Sequence, residues 1–315
     1  MDISKGQTQQ KNKRKYKPQS KFVKFMKRNY VGWLFNLPLM IGLAVFTFVP
    51  MFLSLYYSLY DIASDFSAEY VGFGNYIRIF NDRSMPQVAL NTFLYAVISV
   101  PLNIILSYFL ALLVNSKFKF TGFFRVLYYL PVVIPAVVNG LLWKDLTNET
   151  YGVFNKFLVM LGFNKFPFFT SAETAMVSLI FMNTWGIGGG MVLWLSAFKN
   201  IPNSLYESAR IEGANAFQRF FNITLPLSTP MIFYNMIMSV IGTLQYNGTL
   251  TFASRFGRGE DNSLYLYGVK VYWEAFRNGN IGYAAALSWL LFLIIAVLTG
   301  IMFISSKWVY YQEDA

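Results

Sequence analysis

The chain has 315 residues, of which 55% are apolar and only 13% are charged, against about 25% charged residues in an average soluble protein. It contains no Cys and no His, which excludes disulfides, thiol nucleophiles and the commonest metal ligand. The net charge of +11 could indicate binding to nucleic acid. The basic N-terminal segment, however, has only Tyr16 among its charges and so lacks the aromatic side chains on which bases would stack. Two soluble domains are therefore excluded, and a polytopic membrane protein is favoured.

The N-terminal segment, residues 1–32, is a basic and polar tail. It carries 10 Lys and Arg residues, and it has neither the leading apolar core nor the small-residue cleavage site of a signal peptide. We expect a cytoplasmic tail without a role in binding nucleic acid.

Six apolar segments without Asp, Glu, Lys or Arg follow the tail, and each is long enough to cross a hydrocarbon core of about 30 Å as a helix. They predict an all-α membrane protein with six transmembrane helices in a domain over residues 33–311. The segments are Trp33–Tyr57, Ala89–Val114, Val126–Trp143, Ala175–Phe198, Leu227–Tyr246 and Ile281–Ser306. Ordinary kinks are expected at the prolines in or near them, namely Pro38, Pro50, Pro101, Pro131 and Pro135.

The basic residues predict an orientation for these spans. With the N-terminus inside, the inner segments hold 17 Lys and Arg and the outer loops hold 9, for net charges of +12 and −1. The excess of basic residues on the cytoplasmic side is the usual pattern in membrane proteins. Both termini, and the loop between spans 4 and 5, are therefore expected in the cytoplasm.

The predicted spans contain no ionisable Asp, Glu, Lys or Arg side chain. Proton-coupled and ion-coupled carriers usually need such side chains at membrane depth. If the chain takes part in active transport, the energy is expected to enter from another subunit.

The cytoplasmic loop over residues 199–226 is predicted to form two short helices around a glycine. Ser204 with Glu207 fits a capping box, and Asn215 with Gln218 offers a second one. Gly213 between them suits a sharp helix exit. The apolar face that follows must bury itself against the spans or a partner: Phe217, Phe220, Phe221 and Leu225. The pattern alone fits equally an elbow held by a partner and an amphipathic loop on the membrane surface.

The string Glu207-Ser208-Ala209-Arg210-Ile211-Glu212-Gly213-Ala214, followed by Ile223, Leu225 and Pro226, resembles the E-A-A signature of ABC importer permeases. Ser208 stands for an Ala and Glu212 for an Asp, and both departures roughly keep size or charge. Almost all of the chain after residue 30 is similar to permeases of the maltose and glycerol-phosphate type of carbohydrate importer. The supporting segments are Val71–Tyr76, Asn91–Thr92, Phe123–Arg125, Leu130–Pro131, Trp143, Gly152–Asn155 and Trp308–Tyr311.

The resemblance implies the fold of a type I importer permease and a role for the loop. The loop helix would dock into a cleft of a cytoplasmic ATPase dimer, which binds the ATP and Mg, and Glu207 would meet a cation there. The chain itself has no phosphate-binding loop, and we expect it to hold no cofactor and no catalytic or metal site. Its partners would be a second permease subunit, the ATPase dimer, an extracytoplasmic solute-binding protein and the lipid membrane. The coupling candidates are Glu207, Ala209, Arg210, Glu212, Gly213 and Ala214.

Neutral sugars are usually held by aromatic faces and by amide or hydroxyl side chains. Span 5 offers such groups at helical spacing, and span 4 offers three more before the run Gly188–Gly190. The family's sugar-contacting positions fall on the same two spans. The substrate candidates are Asn183, Thr184, Trp185, Asn235, Ser239, Thr243 and Tyr246. Their alternative role is ordinary helix packing.

The resemblance implies the permease subunit of an ATP-driven sugar importer that works by alternating access, with an oligosaccharide as the expected cargo. A permease for another solute, such as a glycerol phosphodiester or a polyamine, stays open, although a phosphate would favour a cation in the pathway. A membrane-embedded enzyme is the third class. Its nearest candidate groups, Lys144, Asp145 and Glu173, show no acid–base pairing in the sequence.

Overall fold

A computed structural model describes residues 21–62, 67–115, 120–246 and 257–310. Within these ranges the backbone is mostly helical, as expected of an all-α membrane protein. A short antiparallel sheet joins β1 (Tyr60–Ile62) to β2 (Ala68–Tyr70). The chain divides into two units, residues 1–54 and 55–315.

The first unit contains α1 (Lys21–Leu43), a π turn (Ala44–Phe48) and the start of α2 (Val49–Tyr57). Pro50 follows the π turn by two residues, and because proline has no N–H it cannot continue the α-helical ladder. The same arrangement recurs in the second unit, where a π turn (Phe220–Thr224) precedes Pro226. Both turns therefore have a local cause in the sequence.

The second unit contains the remaining helices. In chain order they are α3 (Gly74–Asn81), α4 (Met85–Asn115), α5 (Thr121–Val133), α6 (Ala136–Leu146), α7 (Val153–Met160), α8 (Ala172–Thr184), α9 (Gly188–Lys199), α10 (Asn203–Ile211), α11 (Ala216–Arg219), α12 (Leu225–Leu227), α13 (Thr229–Leu244), α14 (Tyr267–Phe276) and α15 (Ile281–Ile304). Short 3₁₀ turns occupy Trp185–Ile187, Glu260–Asn262 and Ser306–Trp308.

Four continuous helical stretches of the described chain are long and apolar enough to cross a membrane, and two bent pairs bring the number to six if each pair is one span. The four are Asn29–Tyr57, Met85–Asn115, Ala172–Lys199 and Ile281–Ile304. The bent pairs are Thr121–Val133 with Ala136–Leu146, and Ala216–Leu227 with Thr229–Leu244. Each of the six predicted apolar segments overlaps one of these elements.

The third predicted span is bent far more than an ordinary kink. Helices α5 and α6 meet at 101°, and the break lies at Ile134 and Pro135. Ile134 is extended, with φ −71° and ψ 125°, because a residue before proline avoids the helical region. The expectation of an ordinary kink was wrong at Pro135, whereas Pro38, Pro101 and Pro131 lie inside helices that continue past them.

Helix α4 lies at the centre of the second unit, where it packs against α8, α9 and α13. A buried cluster around α4 and α9 contains Tyr108 and Trp194, whose rings meet edge to face at 5.0 Å. Trp194 Nε1 donates to Ser107 Oγ at 2.9 Å, and the Tyr108 hydroxyl hydrogen-bonds with Ser228 Oγ at 2.9 Å. Paired polar groups thus lock the helices together inside an apolar surrounding.

The segment Val71–Tyr76 fixes the connection after α2. Gly72 has φ +53°, which favours glycine, and it turns the chain into α3. Asn75 Nδ2 then donates to the carbonyls of Ser58 and Tyr60 at 3.0 and 2.8 Å, and the Tyr76 hydroxyl lies 2.9 Å from Ser58 Oγ. The motif is therefore explained by local structure.

Candidate functional sites

The loop between α9 and α13 contains the helix predicted to couple to a partner. This helix, α10, begins at Asn203 after Pro202 in the cap position, and no side chain caps it. The capping box predicted for Ser204 and Glu207 is therefore wrong: the helix begins one residue before Ser204, which places that hydroxyl inside the first turn rather than at its cap.

The end of α10 has the predicted glycine exit. Gly213 has φ +81°, and its N–H donates to the Arg210 carbonyl at 3.1 Å, while the Ala214 N–H donates to the Ala209 carbonyl at 2.8 Å. These two bonds form a Schellman motif. The capping box predicted for α11 is confirmed, because Asn215 Oδ1 accepts from the Gln218 N–H at 2.9 Å and Gln218 Oε1 accepts from the Asn215 N–H at 2.8 Å.

Most of the coupling candidates lie on an exposed ridge. Glu207, Arg210, Glu212 and Gly213 are exposed, and Ala209 and Ala214 are half-buried. Ile211, in the middle of the ridge, has 88% of its surface exposed. The Tyr206 hydroxyl fastens the helix from below by a 2.9 Å hydrogen bond with Thr224 Oγ1. The ridge thus offers a partner both charge and apolar surface on a helix held at a fixed position.

The apolar face after Gly213 is covered in part by this chain. Phe220 and Leu225 pack against the buried cluster around Tyr108 and Trp194. Phe217 keeps 71% of its surface exposed and Phe221 keeps 45%. The predicted burial of this face is therefore confirmed only for Phe220 and Leu225, which pack against this chain. Phe217 stays exposed and extends the exposed ridge.

Two of the substrate candidates line a common cavity of about 270 Å³. Asn235 and Ser239 lie one turn apart on α13, and Asn103 and Ser107 lie one turn apart on α4 opposite them. The cavity is lined by Asn103, Ile104, Ser107, Gly186, Ile187, Gly190, Leu193, Asn235, Met238 and Ser239. It combines apolar walls with uncharged amide and hydroxyl groups, which is typical of a site for a small neutral ligand.

Sequence reasoning missed Asn103 and Ser107, although the signal was available. They are two polar residues four apart in an apolar helix, which places them on one face. Pairing that face with α13 required knowing that α4 packs against α13, and the sequence alone does not reveal this.

The other substrate candidates do not line this cavity. Asn183 Nδ2 donates to the Leu179 carbonyl and Thr184 Oγ1 to the Phe181 carbonyl. The Trp185 ring lies edge to face with Trp143 at 5.3 Å, and the Tyr246 ring lies 5.3 Å from Tyr95. Thr243 is half-buried. The bonds of Asn183 and Thr184 stay within α8, just as the bond from Asn235 Nδ2 to the Met231 carbonyl stays within α13. The two rings pack against neighbouring aromatic side chains. Asn235 and Ser239 therefore differ from these four by the cavity that they line.

The glycine run serves close approach, and a break in the helix directly precedes it. A 3₁₀ turn interrupts the helix at Trp185–Ile187, and a Cβ built on Gly188 would lie 1.9 Å from the Tyr128 carbonyl oxygen of α5. A Cβ built on Gly190 would likewise lie close to α4, at 3.1 Å from the Ser107 Cβ. Only residues without side chains let α5 and α4 approach α9 so closely.

Comparison with known proteins identifies the family. Residues 103–311 match the family described as binding-protein-dependent transport system inner membrane component. The chain belongs to this permease family. Together with its apolar helices, this makes the permease a multi-pass membrane protein.

The permease is similar to relatives along most of its length. YesP of Bacillus subtilis, described as a probable ABC transporter permease, is 35% identical over 91% of this chain and 94% of its own. The lactose transport system permease protein LacF of Rhizobium radiobacter is 33% identical over 88% of this chain and 94% of its own. A crystal structure of a bacterial ABC transporter involved in the import of alginate has a chain with a TM-score of 0.81 at 20% identity, covering 93% of this chain and 100% of that one. That match shows the shared fold.

Proposed function

We propose that this permease is the membrane-spanning subunit of an ATP-driven, binding-protein-dependent importer of a neutral sugar, with an oligosaccharide as the expected cargo. The observation that carries the proposal is the cavity of about 270 Å³, with Asn103, Ser107, Asn235 and Ser239 on its walls. Amides and hydroxyls can exchange hydrogen bonds with sugar hydroxyls. The lactose permease of Rhizobium radiobacter among the relatives supports the same substrate class.

The cavity disfavours the two alternatives. Among the described residues, no Lys, Arg, Asp or Glu lines it, whereas a phosphate group or a polyamine is bound best by opposite charges. An enzyme would need an acid–base or nucleophilic pair at the cavity, and amide and hydroxyl groups without a neighbouring base do not supply one. The permease is proposed to bind and release the sugar unchanged.

The exposed ridge of α10 and its flanking turn is the proposed point of contact with the motor. A cytoplasmic ATPase dimer, which binds ATP and Mg, would grip Glu207, Arg210 and Glu212 and draw the loop of residues 199–226 inwards as it closes. Helices α9 and α13 flank this loop and also line the proposed sugar cavity. A movement of the loop would therefore move the cavity walls and open the cavity first to one side of the membrane and then to the other.

The remaining partners and the orientation complete the proposal. A second permease subunit forms the other half of the pathway, and an extracytoplasmic solute-binding protein delivers the sugar. The tail of residues 1–32, the loop of residues 199–226 and the C-terminus are placed in the cytoplasm, where the basic residues are in excess. Residues 33–311 form the permease domain.

The test is sugar uptake into proteoliposomes that contain the complete transporter, supplied with its binding protein and with ATP inside. Uptake of labelled sugar should require ATP. Asn235→Leu should lower it about tenfold, the effect of one or two lost hydrogen bonds. Asn183→Leu, a change of the same kind outside the cavity, should lower it less. Uptake that proceeds without the ATPase, or equal losses for both variants, would refute the proposal.

A further inference from the structure

A second cavity, with a volume of about 440 Å³, opens between α5 and α9. Most of its wall is apolar, and two cations also line it. The lining residues are Arg125, Val126, Tyr129, Met191, Val192, Leu195, Ser196 and Lys199. It lies apart from the sugar cavity, with which it shares no residue.

The two cavities use opposite faces of α9 and the turn before it. Residues 186, 190 and 193 face the sugar cavity, and residues 192, 195, 196 and 199 face the second one. At 3.6 residues per turn, these two sets lie on opposite sides of the helix. The second cavity therefore opens on the side of α9 away from the proposed sugar pathway.

Two cations, Arg125 and Lys199, line the cavity. Lys199 is the last residue of α9, and the loop follows it directly. Arg125 Nη2 donates to the Val114 carbonyl at 3.3 Å. Its Nε is buried and has no hydrogen-bond partner among the residues that the structure describes. This Nε is closed off from the cavity, but the Arg125 and Lys199 side chains both line it, and two positive charges at one site favour an anionic ligand.

The walls indicate which kind of anion fits. Val126, Tyr129 and Val192 keep 67%, 44% and 41% of their surfaces exposed, while Met191 and Leu195 form a buried floor. A small soluble anion would leave this apolar surface uncovered. A lipid satisfies both kinds of lining at once, because its acyl chain covers the apolar wall and its phosphate pairs with the cations.

We propose that this cavity binds an anionic phospholipid, whose phosphate is held by Arg125 and Lys199 and whose acyl chain lies along α5 and α9. Basic pockets between transmembrane helices on the cytoplasmic side are suited to such headgroups. The assignment to the inner leaflet rests on the orientation proposed above, whereas binding itself does not depend on the sugar or on transport.

The test is native mass spectrometry of the full-length permease, purified with its partner subunits and titrated with phosphatidylglycerol or phosphatidylcholine of the same acyl chains. The wild type should bind phosphatidylglycerol selectively. The double variant Arg125→Gln with Lys199→Gln should bind it about thirtyfold more weakly, since each cation near a membrane surface contributes about a fivefold factor. Lys307→Gln removes a positive charge at the same proposed membrane face, outside the cavity, and should bind as the wild type does.

A cavity-filling variant separates lipid binding from simple charge. Ser196→Phe keeps both cations and should also lose phosphatidylglycerol, because its ring occupies the place of the acyl chain. Inorganic phosphate should not displace the lipid. Equal binding of the two lipids by the wild type, unchanged binding by the double variant, or phosphate binding as tight as the lipid would each overturn the proposal. Because lipid binding is read without sugar, its failure is distinguishable from a failure of the sugar-import proposal.

Discussion

Lys270, on α14, is an ionisable side chain with only 1% of its surface exposed. Its Nζ lies 2.6 Å from Asp82 Oδ2 and 3.7 Å from Glu274 Oε1 and donates to Ser84 Oγ at 2.9 Å. The Tyr283 hydroxyl also donates to Asp82 Oδ2, at 2.9 Å. These contacts connect the segment just before α4 to α14 and α15, which lie more than 180 residues further along the chain.

We expect Asp82→Asn to destabilise the permease by about 3 kcal/mol, because it leaves a buried ammonium group without its main partner. Thermal unfolding in detergent measures the loss. Asp61→Asn, at an exposed position on β1, removes the same charge as a control and should have little effect. Equal stability of the Asp82 and Asp61 variants would contradict the account of this ion pair.

The same pair sets a dependence on pH. Burial by itself raises the pKa of Asp82, but hydrogen bonds from Lys270, Ser84 and Tyr283 outweigh it and hold the pKa below its ordinary value. A carboxyl whose pKa is depressed on folding stabilises the fold above its unfolded pKa of about 4, and the gain is lost as the pH falls through the folded pKa. The stability gap between wild type and Asp82→Asn should therefore stay constant from pH 7 to about 5 and shrink below about 4.

Glu207 and Gly213 are the residues whose change tests the ridge. Glu207→Lys reverses an exposed charge, and Gly213→Pro cannot adopt φ +81° because proline is held near −65°. Both variants should abolish sugar uptake and sugar-stimulated ATP hydrolysis while the permease still inserts in the membrane. Asn222→Lys, at an exposed position outside the ridge, is the control. Wild-type transport by both ridge variants would count against a coupling role.

At the scale of elements, the packing of α5 on α9 depends on one glycine. Gly188→Ala would place a methyl group 1.9 Å from the Tyr128 carbonyl oxygen, whereas Gly189→Ala would meet Val132 at 3.7 Å, an ordinary contact. We expect the first variant to lower the melting temperature clearly and the second to be tolerated, since overpacking costs about 1–3 kcal/mol. Equal melting temperatures for the two alanine variants would show that α5 and α9 are not held this closely.

The sequence was sufficient for the elements that composition and local chemistry determine. The apolar segments, the Gly213 exit and the capping box of Asn215 and Gln218 all depend on neighbouring residues, and the structure has each of them. The 101° break at Pro135 could not be told from a kink, because the outcome depends on whether adjacent helices complete the ladder. That Asn103 and Asn235 line one cavity likewise depends on which helices are neighbours.

At the scale of the whole molecule, the orientation can be measured directly. The chain has no Cys, so a single introduced thiol reports on one position. An impermeant maleimide applied to intact cells should label Thr150→Cys, and should label Asn200→Cys only after the membrane is opened. Both positions are exposed and lie in the loops predicted on opposite sides. The reverse labelling would place the basic segments, and with them the coupling loop, outside.

Helix α9 separates the proposed sugar cavity from the cavity that Arg125 and Lys199 line. Because α9 forms a wall of both cavities, a rotation of this helix that widens one cavity also changes the shape of the other. Any occupant that prefers one setting of the wall must change the affinity of the opposite compartment, and the two influences are equal in size by thermodynamic linkage. The lipid composition of the membrane and the strength of sugar binding would then be reciprocal quantities, each measurable through the other.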